Sequence, residues 1–539
     1  MLLASLFESA NPNIYSGQQE QDGVAYDPSV TPAGVQDYLS TENSRAHVML
    51  RRGWAVEDQV DQFKWDGTWL NDGDGLASVK FGVMYSSETK NLDRWDNEGQ
   101  GFHCAFCGYP DVPNMDEFPQ YIFDAGSDFL SGVSGSGRMP TSWLAHDGEA
   151  NFAFLEGVKG NGFSFDAVKR NKSFEVTEDT LSFYLEMDFE SEIAGMIFSS
   201  TAGFRYESTN TDVNGTDEPV SNLRILDKTE MLAQFGSPES ISESNSYDVI
   251  LPNFSAKLEI TDELIARIAA SKTLTRPTLN SMSPVTVIGT TRQGGNLTST
   301  SGNPALQPFS SDNLDLSLEW YYDEASYASV GYFRKIVSNF IINSQAEKTF
   351  ELSGGGLLTD PSTGSDEDAP DSGDTVAVFT NTLPINSESA TVDGWELAVQ
   401  HSFGETGFGV IANATLVDSN AQLDAADITQ VFALTGLSDS ANLVGFYEKG
   451  PVQARLSWNW RDAFVQSLTQ NNGDGPTIVE AYQQLDLSAS YDINENLTVF
   501  VEGINLTEEY VHKRGRFANQ LLLIEDSGRR FGFGIRGSF

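Results

Sequence analysis

The chain ends on Phe531-Gly-Phe-Gly-Ile-Arg-Gly-Ser-Phe539. Phe531, Phe533, Ile535 and Phe539 stand at odd positions, and Arg530, Gly532, Gly534, Arg536 and Ser538 at even ones. Side chains alternate between the two faces of a strand, so one face here is apolar and the other small or charged. The stretch stops on an aromatic residue with nothing after it to cover the apolar face. Lipid covers that face in a transmembrane β-barrel, while the lumen takes the polar one.

The same alternation recurs upstream. Phe254, Ala256, Leu258 and Ile260 interleave with Ser255, Lys257 and Glu259; Val452, Ala454, Leu456, Trp458 and Trp460 interleave with Gln453, Arg455, Ser457, Asn459 and Arg461. Extended over the chain, the pattern places strands near 57–70, 76–92, 177–189, 197–210, 246–260, 264–278, 311–322, 326–341, 388–403, 406–419, 440–448, 451–464, 481–492, 496–511 and 527–539, about fifteen to sixteen visible strands. Tight turns at Thr261–Glu263, Asp323–Ser326, Gly404–Gly407, Lys449–Pro451 and Asn494–Asn496 alternate with long polar connections. A sandwich has no reason for that asymmetry. An up-and-down antiparallel barrel has one, with short periplasmic turns and long extracellular loops. Residues 1–56 are ambiguous, with room for one strand around Ala46–Gly53. Residues 57–539 form the barrel, with a long extracellular insertion at 93–176.

Composition agrees. Only 39% of residues are hydrophobic, and no apolar run approaches the ~20 residues of a spanning helix. Gly (48) and Phe (34) are abundant, as bends and interfacial girdles require. A formal net charge of −45 argues against nucleic acid, whose phosphates are bound by Lys and Arg. The acidity suits solvated loops, or loops that attract cations. The run from Gly364 to Asp374 is acidic enough for Ca²⁺ but lacks ordered ligand spacing. Five histidines, no nucleophile beside a base and no phosphate loop leave no catalytic constellation, no metal site and no cofactor to predict.

The two cysteines lie in His103-Cys-Ala-Phe-Cys107. A single CxxC pair is not a zinc site. A small disulfide between Cys104 and Cys107 in a long loop is the preferred reading, and free thiols are the other. Met1–Glu8 has no basic segment and no cleavage site, so it does not read as a secretory signal. An exported barrel needs one, so the sequence is expected to be a mature or truncated form, or to carry a misplaced start.

Several motifs, taken together, resemble TonB-dependent receptors, in particular the Gram-negative subgroup associated with carbohydrate uptake. They are Leu251-Pro-Asn-Phe254 with Ile260-Thr-Asp-Glu-Leu264 and Ala270-Ser-Lys-Thr-Leu-Thr-Arg-Pro277; Gly302-Asn-Pro-Ala-Leu-Gln-Pro308 with Asp312-Asn-Leu-Asp315; and Val501-Glu-Gly-Ile-Asn-Leu-Thr507 with Gly528-Arg-Arg-Phe531. The resemblance covers about 177–539 and, more weakly, 57–92. It implies an outer-membrane protein that does no covalent chemistry. Substrate binds loops and plug, and the inner-membrane TonB complex then pulls on the plug. The family also implies a plug domain and about twenty-two strands. This chain is therefore expected to be the C-terminal barrel portion, without the plug.

The implied ligand is an oligosaccharide; a siderophore or other metal chelate, or a passive pore, is the alternative. Sugars stack on aromatic rings and hydrogen-bond polar neighbours. Trp95, Phe102, Tyr109, Tyr121 and Trp143 are the candidate contacts, although such rings also suit the core of a folded loop. Trp320, Tyr321, Tyr322 and Trp395 suit an interfacial girdle. Phe531, Phe533, Ile535 and Phe539 would form the strand presented to the barrel-assembly machinery, and lipid would surround the whole.

Overall fold

The computed structural model describes residues 51–71, 75–96, 120–130, 141–159, 166–169, 173–225, 231–292, 294, 296–365, 370–428, 430, 432–470 and 473–538. Fifteen strands run in chain order through one antiparallel sheet. They are β1 (Arg52–Leu70), β2 (Gly75–Asp96), β3 (Ser173–Ile193), β4 (Met196–Asp217), β5 (Glu239–Glu259), β6 (Leu264–Thr275), β7 (Phe309–Asp323), β8 (Ser326–Ser338), β9 (Ala390–Ser402), β10 (Phe408–Ser419), β11 (Ser440–Lys449), β12 (Val452–Arg461), β13 (Tyr482–Asn494), β14 (Leu497–Ile504) and β15 (Arg530–Gly537). This is the up-and-down wall that the alternation predicts. Among the described residues no pairing joins β1 to β15, so each keeps a free edge.

Turns at one end are tight. Ala194 and Gly195, with φ of 53° and 82°, join β3 to β4, and Gly450, with φ 60°, opens the turn from β11 to β12. Positive φ in two-residue loops matches the right-handed twist of the flanking strands. The other end carries the long connections, and this asymmetry marks it as extracellular. Strands β2 to β5 reach 21 or 22 residues, well past the expected limits. Their extracellular ends are polar on both faces, as in Asn210-Thr-Asp-Val-Asn214 and Glu239-Ser-Ile-Ser-Glu243, so no period of two is visible there.

Residues directly opposite across a ladder share a face. Register therefore carries the outer face around the sheet. Phe533 and Ile535 of β15 face Val501 and Val499 of β14, which face Ala489 and Tyr491 of β13. Farther round, Leu397, Val330, Leu318 and Ala266 form one row across β9 to β6, and Phe204, Leu185 and Phe81 another across β4 to β2. Among the described residues no protein layer covers this apolar face: Phe533 is 92% exposed, Trp395 51% and Leu456 45%. An aromatic contact borders it near the turns, Phe408 with Tyr447 (4.7 Å), and a second, Tyr332 with Trp395 (5.2 Å), lies midway along β8 and β9. Trp320, Tyr322 and Trp395 are on this outer face. Tyr321 is not: its hydroxyl donates to Glu319 on the lumen side (3.0 Å), because its odd position puts it on the opposite face. Among the described residues no helix is long and apolar enough to cross a membrane.

On the lumen side, glycines sit under the rings of their ladder partners. The pairs are Gly82 with Tyr184, Gly394 with Phe333, Gly409 with Phe446 and Gly534 with Phe500. A Cβ on Gly409 would lie 2.1 Å from the Phe446 ring, and one on Gly534 2.4 Å from Phe500. Ring over glycine gives each aromatic a flat seat and shields a strand position that has no side chain of its own. Gly409→Val is expected to lower the stability of the fold by about 1–3 kcal/mol, the cost of overpacking, and so reduce the folded fraction. Phe446→Ala in the same chain should restore it. Heat-modifiable migration after refolding in detergent reads both, and an unaltered Gly409→Val chain would remove the argument.

The insertion after β2 holds a hairpin, Gln120–Asp124 paired with Ser142–His146, and helix α1 (Gly148–Lys159). Asp147 caps the helix by accepting from the Ala150 amide (3.0 Å). Arg51 docks it to the start of the barrel through an ion pair with Glu149 and by lying over the Phe152 ring at 4.5 Å. Residues 46–50 of the strand expected around Ala46–Gly53 lie outside the described residues, and Gly53 belongs to β1.

Candidate functional site at the lumen mouth

Several of the long connections are folded rather than irregular, and two of them meet in one sheet. The connection after β6 supplies the strands Thr286–Arg292 and Asn296–Ser301, and the connection after β8 supplies Ile341–Lys348 and Phe379–Asn386. These four form one sheet, with Asn296–Ser301 parallel to Phe379–Asn386. Each strand is short and flanked by polar residues, so the alternation does not reveal it. Leu223, Leu297, Ala377 and Phe379 are buried beneath this sheet with Val220, Met231 and Leu358. Ser299 and Asn381, also buried, share a hydrogen bond of 2.9 Å.

The connection after β6 packs against the inner wall. By register Val176 of β3 and Val213 of β4 face the lumen, since the outer face carries Leu185 and Phe204. Both are fully buried, in contact with Leu279, Met282, Val285 and Leu306. This connection therefore narrows the lumen mouth. Arg276 fixes it there. Its guanidinium lies 2.9 Å from Glu178 and also pairs with Glu207, carboxylates that are 7% and 6% exposed. Tyr247 donates to Glu178 at 3.3 Å, and Arg205 spans Glu207 (2.6 Å) and Ser182 (2.8 Å). Two acids and two guanidinium groups balance, which is how buried charge is tolerated. Beyond the wall, Lys348 donates to Thr286 (2.8 Å), and burial pulls its ammonium below the usual lysine range.

Deeper in the lumen, a cavity of about 720 Å³ is lined by Asp188, Thr201, Lys257, Arg267, Ser317 and Glu396. Lys80 bridges Glu186 (2.9 Å) and Asp188 (2.8 Å), and Arg267 holds Glu319 at 2.9 and 3.3 Å. The wall is a lattice of paired charges, and register alone was enough to put these residues on one face.

The motif residues behind the resemblance are struts. Asn303 donates to the Pro384 carbonyl (3.0 Å), Leu306 is 1% exposed, and the Gln307 amide donates to Asn386 (2.8 Å). A Cβ on Gly302 would lie 2.4 Å from the Ser283 carbonyl. Asn505, buried at φ 57°, donates to the Glu509 carbonyl (2.8 Å) and accepts from the Glu509 amide (2.9 Å), closing the last turn of chain before the long return to β15.

The structure separates the candidate contacts. Trp143 packs against Phe123 (5.2 Å) and Phe129 (5.8 Å) inside the inserted hairpin, and Tyr121, on the same face, is 58% exposed. Trp95 is 40% exposed at the end of β2, where it faces Gly53 and Lys169. Phe102, Tyr109, Cys104, Cys107 and Phe539 lie outside the described residues. In the sequence Arg276 stands out only as part of the Ala270–Pro277 motif, and nothing there points to Glu178, Glu207 or Tyr247. Their partners are far apart along the chain.

An antiparallel wall with an uncovered apolar outer face, a charged lumen and a loop narrowing its mouth defines a β-barrel of the outer-membrane type. The chain belongs to the TonB-dependent receptor-like β-barrel family, whose profile matches residues 6–506. Its fold is similar to that of the ferric-catecholate import receptor Fiu of E. coli K12 in the closed form, at 12% identity and a TM-score of 0.53, covering 90% of this chain and 55% of that one. It is also similar to the siderophore receptor PiuA of Acinetobacter baumannii, at 14% identity and a TM-score of 0.50, covering 90% and 56%. At these identities the likeness is one of fold, and the chain spans little more than half the length of either. No curated protein matches the sequence. The family and these neighbours are transport receptors rather than enzymes.

Proposed function

We propose that this chain forms the barrel wall of a Gram-negative outer-membrane receptor that takes up an oligosaccharide with energy from TonB. Charge is the observation that carries the choice of ligand. Asp and Glu number 77 against 32 Lys and Arg. A field of that sign repels anionic solutes such as a ferric catecholate. A neutral oligosaccharide does not meet that penalty, and carboxylates accept hydrogen bonds from its hydroxyls. Rings in the inserted hairpin supply stacking faces. Fiu and PiuA are receptors for a ferric catecholate and a siderophore, which supports a second reading, a metal chelate. The charge restricts that reading to neutral or cationic chelates.

All described residues belong to the wall or to the segments joining its strands. In this proposal TonB acts through a plug that these residues do not supply. The strand with Phe531, Phe533, Ile535 and Phe539 is what the assembly machinery receives. Calorimetric titration of the detergent-solubilised protein against neutral oligosaccharides and ferric chelates tests the ligand class. Saturable binding of a neutral oligosaccharide is expected, and binding of a ferric catecholate alone would reject the reading. Tyr121→Ala and Trp143→Ala together should weaken oligosaccharide binding about three- to tenfold, the loss of one or two stacking contacts. Unchanged affinity in the double variant would remove the hairpin from the site.

A further inference from the structure

We infer that the lumen cavity over β7 to β9 holds one ring of the imported oligosaccharide in transit, stacked on Phe333 and held between Asp315 and Glu396. The inference rests on the oligosaccharide reading and gives it a second station, apart from the inserted hairpin. Ladder register sets two neighbouring rows on the lumen face. Ser317, Gly331 and Glu396 form the row nearer the turns, and Asp315, Phe333 and Gly394 the row nearer the loops. All but Gly394 line the cavity, whose volume of about 720 Å³ is that of a small-molecule site. Its two glycines act in opposite ways. A Cβ on Gly394 would lie 2.7 Å from the Phe333 ring, so the ring is laid over that position and turns its other face to the lumen. A Cβ on Gly331 would still be 3.7 Å from its nearest neighbour, so the floor beside the ring is open.

Several acids of the neighbouring wall are already held, Asp188 by Lys80, Glu259 by Lys257 and Glu319 by Arg267. Asp315 and Glu396 make no ion pair or hydrogen bond among the described residues, so their oxygens are open to hydroxyl donors. They stand on β7 and β9, about 10 Å apart across β8, twice the strand spacing. That leaves room for one sugar ring with a hydrogen bond on either side. Lys335, one row nearer the loops, has its ammonium 5.8 Å from the Phe333 ring centroid and adds a donor there. A sugar presents a flat CH face and hydroxyls together, which matches a ring beside two acceptors. A simple cation would pair with the acids and leave the floor over Gly331 empty.

The test uses the whole chain refolded in detergent and calorimetric titration. Maltotriose, cellotriose and xylotriose are the neutral probes, and trigalacturonate is the anionic one. Tyr121→Ala and Trp143→Ala are present throughout, so the hairpin contributes nothing. Saturable binding of a neutral probe is expected, with trigalacturonate about tenfold weaker because its carboxylates meet Asp315 and Glu396. Gly331→Leu fills the floor without a clash and should abolish this binding. Asp315→Asn with Glu396→Gln should remove most of the gap between neutral and anionic probes, which a merely structural role would not do. Phe446→Ala, which removes a ring seated on Gly409 outside the cavity, should change nothing. Binding that survives Gly331→Leu, or a gap unmoved by the amide pair, would overturn the inference. Loss of all binding in the hairpin variant, while the unaltered chain still binds, would also overturn it and leave the oligosaccharide reading standing on the hairpin. If the unaltered chain binds none of the neutral probes, that reading fails and this inference with it. Heat-modifiable migration confirms that each variant is folded; should Gly331→Leu fail to fold, the amide pair, which keeps size and shape, decides alone.

Discussion

Leu456→Arg is expected to prevent insertion of the chain into a bilayer, while Ser457→Arg, one residue along, leaves insertion intact. Leu456 lies midway along β12, opposite Gly445 and Leu487, in the outer apolar face. It is 45% exposed, and no described residue packs over it, so it meets lipid. A charged side chain on the lipid face near the midplane costs about 2–4 kcal/mol. Ser457 faces the lumen, opposite Val444 and Asp486, where a guanidinium meets water and a carboxylate. Both variants carry the same added charge and nearly the same sequence position. A difference between them therefore reports the face alone. Refolding into phosphatidylcholine vesicles, read by heat-modifiable migration and protease protection, gives the result. Equal yields for the two variants would contradict the assignment of faces that the register supplies.

Arg276→Ala should release the connection after β6 from the inner wall. The substitution leaves Glu178 and Glu207, both nearly inaccessible, without their shared cation. Removing one partner of a buried pair costs about 3–5 kcal/mol, because the remaining charge is uncompensated. Arg205 still holds Glu207, which places the expected loss at the lower end. Limited proteolysis of the refolded chain should show new cleavage between 279 and 306, with the barrel strands still protected. Arg276→Ala combined with Glu178→Gln and Glu207→Gln removes the stranded charges, and much of the protection should return. If Arg276→Ala alone leaves the cleavage pattern unchanged, the contact of Leu279, Met282 and Leu306 with the wall holds the connection without the ion pair.

The wall of this protein was legible in its sequence. Phe531, Phe533 and Ile535 alternate with Gly532, Gly534 and Arg536, and β12 and β14 repeat the pattern, because lipid outside and water inside sort residues with a period of two. The tight turns were legible for the same local reason, since Gly450 and Gly407 mark backbone positions with positive φ. The extracellular ends of β3 to β5 were not, because polar residues on both faces erase the period. Nor was the loop sheet, whose parallel pairing of Asn296–Ser301 with Phe379–Asn386 joins segments from different connections. The site was least legible of all. Arg276 was visible as a motif residue, but Glu178, Glu207 and Tyr247 come from three other strands and meet it only when register sets their heights on the lumen wall. Period and turn chemistry are local and can be read one strand at a time; the convergence of four charges and a ring is a property of strand register and loop packing, and only the tertiary structure determines it.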